Sequence, residues 1–372
     1  MKKLKKIPFI LSLLYLLTFF TPTNADIKVV ASIKPIHSLA SYLMDGVAKP
    51  DLIVDGYASP HGFAMKPSHA KMLQNADLIF WVGEDLENFL EKPLKSIAKK
   101  AEKIELMEIK GLQVLKFRER NIFDDHDDHG HDDHDDHDDH GKKEDDHDDH
   151  DHDDHGKKED DHDDHDHDDH GKKEDDHDDH GHDDHGKKDG HDDHDDHDGH
   201  EGHHHGEFDP HIWLDPVNAK VILKEMAEHL IENDSKNEAT YKSNLKKALN
   251  DIDKLTADVK AELNKSVASI VFHDAYQYFE ERFNVNILGA FTVNTDVMPG
   301  AEQLKEIREI IEHDKVACVF SEPQFNPDII KAVAKDMNIK TGVVDPLGAT
   351  LNPGKSLYFD LIRNMSASFK GC

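Results

Sequence analysis

Basic residues are scarce in this 372-residue chain: 45 Lys and Arg stand against 79 Asp and Glu, for a formal charge of −34. That balance excludes a nucleic acid or an anionic membrane surface as partner. Long apolar runs are scarce too. The run at 7–20 has 14 residues, short of the roughly 20 that a membrane-spanning helix needs. No cysteine stands directly after it, which excludes a lipid anchor at that point. Between His126 and His205 there is no apolar residue, so that stretch cannot build a core, and a single uniform globule is excluded. No predicted helix carries His-Glu-x-x-His and no base stands beside the histidine-bearing blocks, which argues against a zinc hydrolase. Cysteine is limited to Cys318 and Cys372. The pair either closes a disulfide or stands as one buried and one terminal thiol; an exported chain favours the disulfide, which would contribute about 4 kcal/mol.

What is present falls into unlike parts. Lys2, Lys3, Lys5 and Lys6 precede the apolar run, and Thr23-Asn24-Ala25 follows it, the pattern of a secretory signal peptide cleaved near Asp26. Residues 124–207 hold 36 Asp, 5 Glu, 8 Lys and 25 of the 32 histidines, and so carry −33 of the total charge. Gly-Lys-Lys recurs there at Gly141, Gly156, Gly171 and Gly186, a 15-residue repeat. Such a stretch is expected to be disordered and, as imidazole interleaved with carboxylate, to collect divalent metal at many weak, interchangeable sites. The other 288 residues are nearly neutral and have an ordinary hydrophobic content, enough for about two domains.

Short β-type runs at 27–31, 52–54, 78–82 and 104–106 alternate with helical patterns at 35–44, 67–74 and 86–98. After the repeat, Asp215-Pro216 reads as a capped helix start, and a long amphipathic helix runs from Ser235, with Glu238 completing a capping box, to about Leu263. Alternation then resumes, with strands at 270–272, 285–291, 316–320 and 340–344 and helices at 303–311, 328–337 and 355–369. The expected fold class is α/β: two lobes, each a parallel sheet covered by helices, joined by one long linker helix. The expected boundaries are a signal peptide at 1–25, an N-terminal lobe at 26–233 that carries the disordered insertion at 124–207, the linker at 234–264 and a C-terminal lobe at 265–372.

Seven histidines lie outside the repeat. His69, His229 and His313 sit in polar helical patterns and read as surface residues. His61, His211 and His273 each stand just beyond a predicted strand or before a helix, where open α/β sheets place ligands. Singly, each would be a capping or buried structural histidine; together, in a chain with a metal-collecting repeat, they point to a shared metal site.

Ser59-Pro60-His61 with Lys66-Pro67-Ser68, Asp209-Pro210-His211-Ile212-Trp213, Phe272-His273-Asp274-Ala275-Tyr276, Ser321-Glu322-Pro323-Gln324-Phe325 and Val344-Asp345-Pro346-Leu347-Gly348 resemble the zinc-binding solute-binding proteins of ABC transporters of the ZnuA type. The blocks cover nearly all of 27–372 in the family's order. The resemblance implies a monomeric, non-enzymatic periplasmic receptor that holds Zn(II) in a cleft between lobes and delivers it to an inner-membrane ABC permease with its cytoplasmic ATPase. It implies His61, His211 and His273 as ligands, with Asp345 in the place of a carboxylate ligand, and it implies the Cys318–Cys372 disulfide. Related manganese receptors carry a carboxylate where His273 stands. Pro60 replaces the acidic residue found there in some zinc members, which leaves Asp345, water or a histidine of the repeat as fourth ligand. A metal store and a manganese receptor of the same fold are the alternatives. His37 is expected to be structural or to support a ligand.

Overall fold

β-Branched and aromatic runs bounded by polar turns become strands, as their fit to a pleated, buried surface predicts. In a computed structural model that describes residues 26–118, 120–123, 206–263, 267–295 and 297–372, they form two separate sheets. β1 (Val29–Ile33), β2 (Asp51–Val54), β3 (Leu78–Trp81) and β4 (Glu102–Glu105) pair in the order β2-β1-β3-β4. β5 (Ser269–His273), β6 (Ile287–Thr292), β7 (Cys318–Ser321) and β8 (Lys340–Val343) pair in the order β6-β5-β7-β8. All of these pairings are parallel, and the central β1, β3 and β5 are buried throughout. In each sheet the order reverses at the first strand in sequence, so the crevice beyond the carboxyl ends of β1 and β5 is where such folds bind ligands. The expected signal peptide and residues 124–205 of the expected insertion, with the disorder and weak zinc sites expected of them, lie outside the described residues; Gly206 and Glu207, counted with the insertion, are ordered.

Helices cover the sheets: α1 (Lys34–Leu43), α2 (Pro67–Asn75) and α3 (Glu84–Ser96) in the first lobe, then α4 (Pro216–Asn233) and the long α5 (Glu238–Glu262). α6 (Gln277–Phe283), α7 (Ala301–His313), α8 (Asp328–Met337) and α9 (Leu357–Lys370) belong to the second. Asp215 caps α4 as its sequence predicts, its carboxylate accepting from Val217 N at 2.7 Å. The capping box at Ser235 and Glu238 does not form. Residues 235–237 make a 3-10 turn instead, because the Asp234 carboxylate gathers Asn237 Nδ2 and Tyr241 OH, each at 2.7 Å. α6 is too short and too aromatic to stand out as a helical period; left-handed Asn284, at φ 54°, ends it.

The two sheets are not held by α5 alone. α9, last in sequence, packs against both α1 and α5, and one buried core runs continuously from β1 and β3 through these helices to Phe279, Phe320 and Tyr358. Polar clamps reinforce it. The buried Lys34 ammonium donates to the carbonyls of Gly348, Ala349 and Leu351 at 3.2, 2.8 and 3.0 Å. Arg282 makes a two-pronged bond to Asp215, at 2.7 and 2.6 Å. Cys318, at the start of β7, is joined to Cys372, beyond α9, with a Cα separation of 5.9 Å.

The arms that flank the repeat are ordered. Phe117 N donates to Glu207 O at 3.0 Å and Asp209 N to Leu115 O at 2.9 Å, a short antiparallel ladder that leads straight into His211. Farther along, Phe123 N donates to Leu288 O and Ala290 N to Asn121 O, which lays residues 121–123 antiparallel against β6.

Candidate metal centre

Three histidines converge where the carboxyl ends of the two sheets meet. His61 lies in the loop between β2 and α2, with its backbone N–H donating to Ser59 Oγ at 3.3 Å. His211 stands before the 3-10 turn that leads into α4, and His273 is the last residue of β5. One ligand nitrogen from each lies within 4.8 Å of the other two. The ring centroids are 5.5, 5.7 and 5.3 Å apart, and His211 Nε2 is 3.4 Å from His273 Nε2. Nitrogens this close, in a buried place, can share a proton or, in its place, an ion.

The rings are aimed from behind. Asp209 Oδ1 sits 2.7 Å from His211 Nδ1 and also accepts the His211 backbone N–H at 2.9 Å. Glu322 Oε1 sits 2.7 Å from His273 Nδ1. A carboxylate can only accept, so each fixes the proton on Nδ1 and leaves Nε2 as a lone-pair donor, the arrangement that metal-binding histidines use. Trp213 and Phe325 back the His211 and His273 rings, with centroids at 5.4 and 5.6 Å. Burial, and then the charge of His273, hold His211 well below the ordinary imidazole pKa, so it is neutral and ready to ligate. Burial also pushes His273 down, but the neighbouring Glu322, Asp274 and Asp209 outweigh it and the net shift is upward. Burial raises Asp209 and Asp274 in turn, against the pull of Arg118, which reaches Asp274 Oδ1 at 3.2 Å. The histidines, with Gln324, Pro346 and Leu347, enclose a cavity of ≈ 10 Å³, room for one ion or one water.

Asp345 is not gathered into this group. Its Oδ1 accepts from Gln324 Nε2 at 2.8 Å, Leu347 N at 3.1 Å and Gly348 N at 2.9 Å, and its Oδ2 from Ala349 N at 2.6 Å. The carboxylate ties together a turn in which Gly348 takes φ 71°. His37 is also elsewhere, its Nε2 donating to Pro50 O at 3.1 Å, which is a structural role. His69 is buried rather than on the surface: it stacks on Phe63 and its Nδ1 accepts from Lys66 N at 3.1 Å, closing the start of α2. His229 falls with Glu102 and Glu232, ligand atoms within 4.8 Å, at the amino end of β4. There Glu102 Oε1 lies 2.8 Å from its Nδ1 and Glu225 Oε1 3.3 Å from its Nε2, so a carboxylate faces each ring nitrogen. Asp209, Glu322 and Gln324 escaped sequence reading; the only signal was their place inside the blocks that carry the family resemblance.

Two parallel α/β sheets that present ligands from their facing carboxyl ends, tied by a long helix, define a solute-binding protein rather than an enzyme. The sequence matches the family "ZnuA: Zinc-uptake complex component A periplasmic" over residues 29–372, and the chain belongs to that family. It is 44% identical over 346 residues to "High-affinity zinc uptake system protein ZnuA" of Brucella abortus (strain 2308), covering 92% of this chain and 91% of that protein. It is 37% identical to the protein of the same name from Haemophilus influenzae, covering 100% and 99%. Among solved structures, "Crystal structure of ZnuA" superposes with TM-score 0.62 at 18% identity over 92% of this chain and 99% of that one, which supports the fold.

Proposed function

We propose that the chain captures Zn(II) between its two lobes, as the periplasmic receptor of a zinc importer, and hands it to an inner-membrane ABC permease with its cytoplasmic ATPase. The observation that carries this reading is the convergence of His61, His211 and His273, with Nδ1 of the last two pinned by carboxylates. Three imidazole ligands are a borderline, nitrogen-rich set, which suits zinc over manganese; manganese favours oxygen. Family membership and the 44% identical relative support zinc as the cargo. No step needs bond making in the cargo, so capture is ligand exchange: zinc sheds waters and gains imidazoles, and binding displaces any proton held by His273.

For delivery, the exposed Tyr57 after β2, Val297 and Met298 after β6 and Val343 at the end of β8 all stand at the carboxyl-end face of the sheets. Apolar side chains raised from both lobes around one opening suit docking on a permease as a monomer. Residues 1–25 act as the export signal. The histidine-rich repeat serves as a weak, multi-site zinc collector, and the order of its flanking arms puts the returning chain close to His211.

Competition titration of zinc against a chromophoric chelator tests the reading, on the chain lacking residues 124–205 and on the same chain with His273→Ala. One tight site that the substitution abolishes is the expected result. Absence of a tight site in the shortened chain would move metal binding to the repeat and favour a periplasmic store.

A further inference from the structure

With Asp345 committed elsewhere, the fourth position around the ion needs another occupant. Glu322 also lines the cavity, and its Oε2 is likewise sealed from solvent with no hydrogen-bond partner, but its Oε1 is committed to Nδ1 of His273, the side of the ring turned from Nε2, and its charge is also felt by the buried Tyr276 hydroxyl. Gln324 is different. Its Nε2 donates to Asp345 Oδ1 at 2.8 Å, and because a carboxylate only accepts, the amide cannot be turned the other way. Its Oε1 is therefore directed away from Asp345, and among the described residues that oxygen is sealed from solvent with no hydrogen-bond partner. Gln324 also lines the ≈ 10 Å³ cavity with the three histidines. A buried acceptor left unpaired costs free energy, and it persists where a ligand satisfies it.

We propose that Gln324 completes the metal centre: its Oε1 accepts a hydrogen bond from the water that fills the fourth zinc position, and Asp345 is the positioning residue that aims the amide. This rests on the zinc-receptor reading above. An ion held by three imidazoles and a water keeps its full positive charge, because no carboxylate ligates it. The water binds more strongly when its proton is accepted, and a neutral acceptor does this without the extra attraction that would slow release to the permease. Asp345 thereby acts on the site through a neighbour, while its other bonds hold the 345–349 turn against the Lys34 clamp.

The test uses the full mature chain and limiting metal, so that the tightest site fills first. Zinc affinity by chelator competition and the visible spectrum with one equivalent of Co(II) are measured for the unsubstituted chain, Gln324→Leu, Gln324→Glu and His273→Ala. Gln324→Leu is expected to weaken the tight site about tenfold, within the range for groups that support metal ligands, and to shift the cobalt band. Gln324→Glu, which keeps the acceptor, is expected to restore tight binding with its own distinct cobalt spectrum. Unchanged affinity and spectrum in Gln324→Leu, with binding lost in His273→Ala, overturns this inference and leaves the receptor reading intact. A tight site that survives His273→Ala overturns the reading and the inference together. If Gln324→Leu does not fold, Gln324→Glu decides: a cobalt spectrum identical to that of the unsubstituted chain overturns the inference, because a new charge beside the ion must register there.

Discussion

At the scale of single residues, the candidate site divides into ring nitrogens that converge on one point and carboxylates that aim them. Glu322 belongs to the second kind. Glu322→Ala is expected to free the His273 ring to choose the wrong tautomer and to lower zinc affinity by roughly 10–100-fold, and to cost about 1–3 kcal/mol of apo stability by leaving His273 Nδ1 unpaired. Chelator competition measures it, and an affinity equal to that of the unsubstituted chain would show that the carboxylate is idle. Residue types and their places before helices made the three histidines legible from sequence. The roles of Asp209, Glu322 and Gln324 were not, because a supporting residue has no spacing rule of its own; only folding brings Glu322 to His273, 49 positions away. Asp345 shows the converse: a motif position suggests a ligand, while four N–H donors fix it as the anchor of a turn. Glu87 carries a further residue-level consequence. Its Oε2 accepts from Val82 N and Gly83 N at 2.7 and 3.3 Å, and burial, the largest influence, raises its carboxyl from 4.5 to about 7. An acid raised on folding stays protonated after the unfolded chain has lost its proton, so stability falls as pH rises from the unfolded value through about 7. The loss is fully present above that, on the order of 3 kcal/mol at 1.36 per unit. Glu87→Gln should therefore raise the melting temperature at pH 8 relative to the parent and make little difference at pH 4. An equal effect at both values would remove the burial account.

Among the elements, strands and long helices followed from periodicity, since apolar alternation and Asp215-Pro216 are local signals. What escaped was set by contacts distant in sequence. The 3-10 turn before α5 arises because Asp234 is drawn to Tyr241, and α6 forms as an aromatic turn packed on the 3-10 turn at Ile212–Leu214 rather than by its own propensity. The disulfide is an element-level device: it ties the end of α9 to β7 across 54 positions, and α9 in turn packs on α1 and α5. Closing a loop of that length stabilises the fold by about 4 kcal/mol on the chain-entropy account. Reduction, or Cys372→Ser, is expected to lower the melting temperature by several degrees while leaving the zinc site formed, because no ligand lies on α9. Differential scanning calorimetry with and without reductant reads this. Loss of tight zinc binding on reduction would mean that α9 positions the site as well as the core.

The whole molecule is held by more than a hinge. A continuous core, the Lys34 clamp on residues 348–351, the Arg282–Asp215 pair and the Trp213 Nε1 bond to Pro346 O at 2.8 Å all cross from one sheet's side to the other's. Hinge closure of the kind seen in receptors with two thin connecting strands would have to break several of these at once, each worth about 1 kcal/mol or more when buried. Zinc binding is therefore expected to act locally, by ordering the loop at His61 and the turn at 345–349 rather than by swinging a lobe. Small-angle scattering of the chain lacking residues 124–205 should give the same radius of gyration with and without zinc, and hydrogen exchange should slow chiefly around His61 and at 347–351. Lys34→Met sharpens the test. It leaves three carbonyls without their ammonium, and is expected to cost about 2–4 kcal/mol and to speed exchange at 348–351 in the apo protein. A clear contraction of the parent on adding zinc would contradict the rigid account. Free exchange at 348–351 in the parent, equal to that in Lys34→Met, would show that the clamp does not hold the lobes.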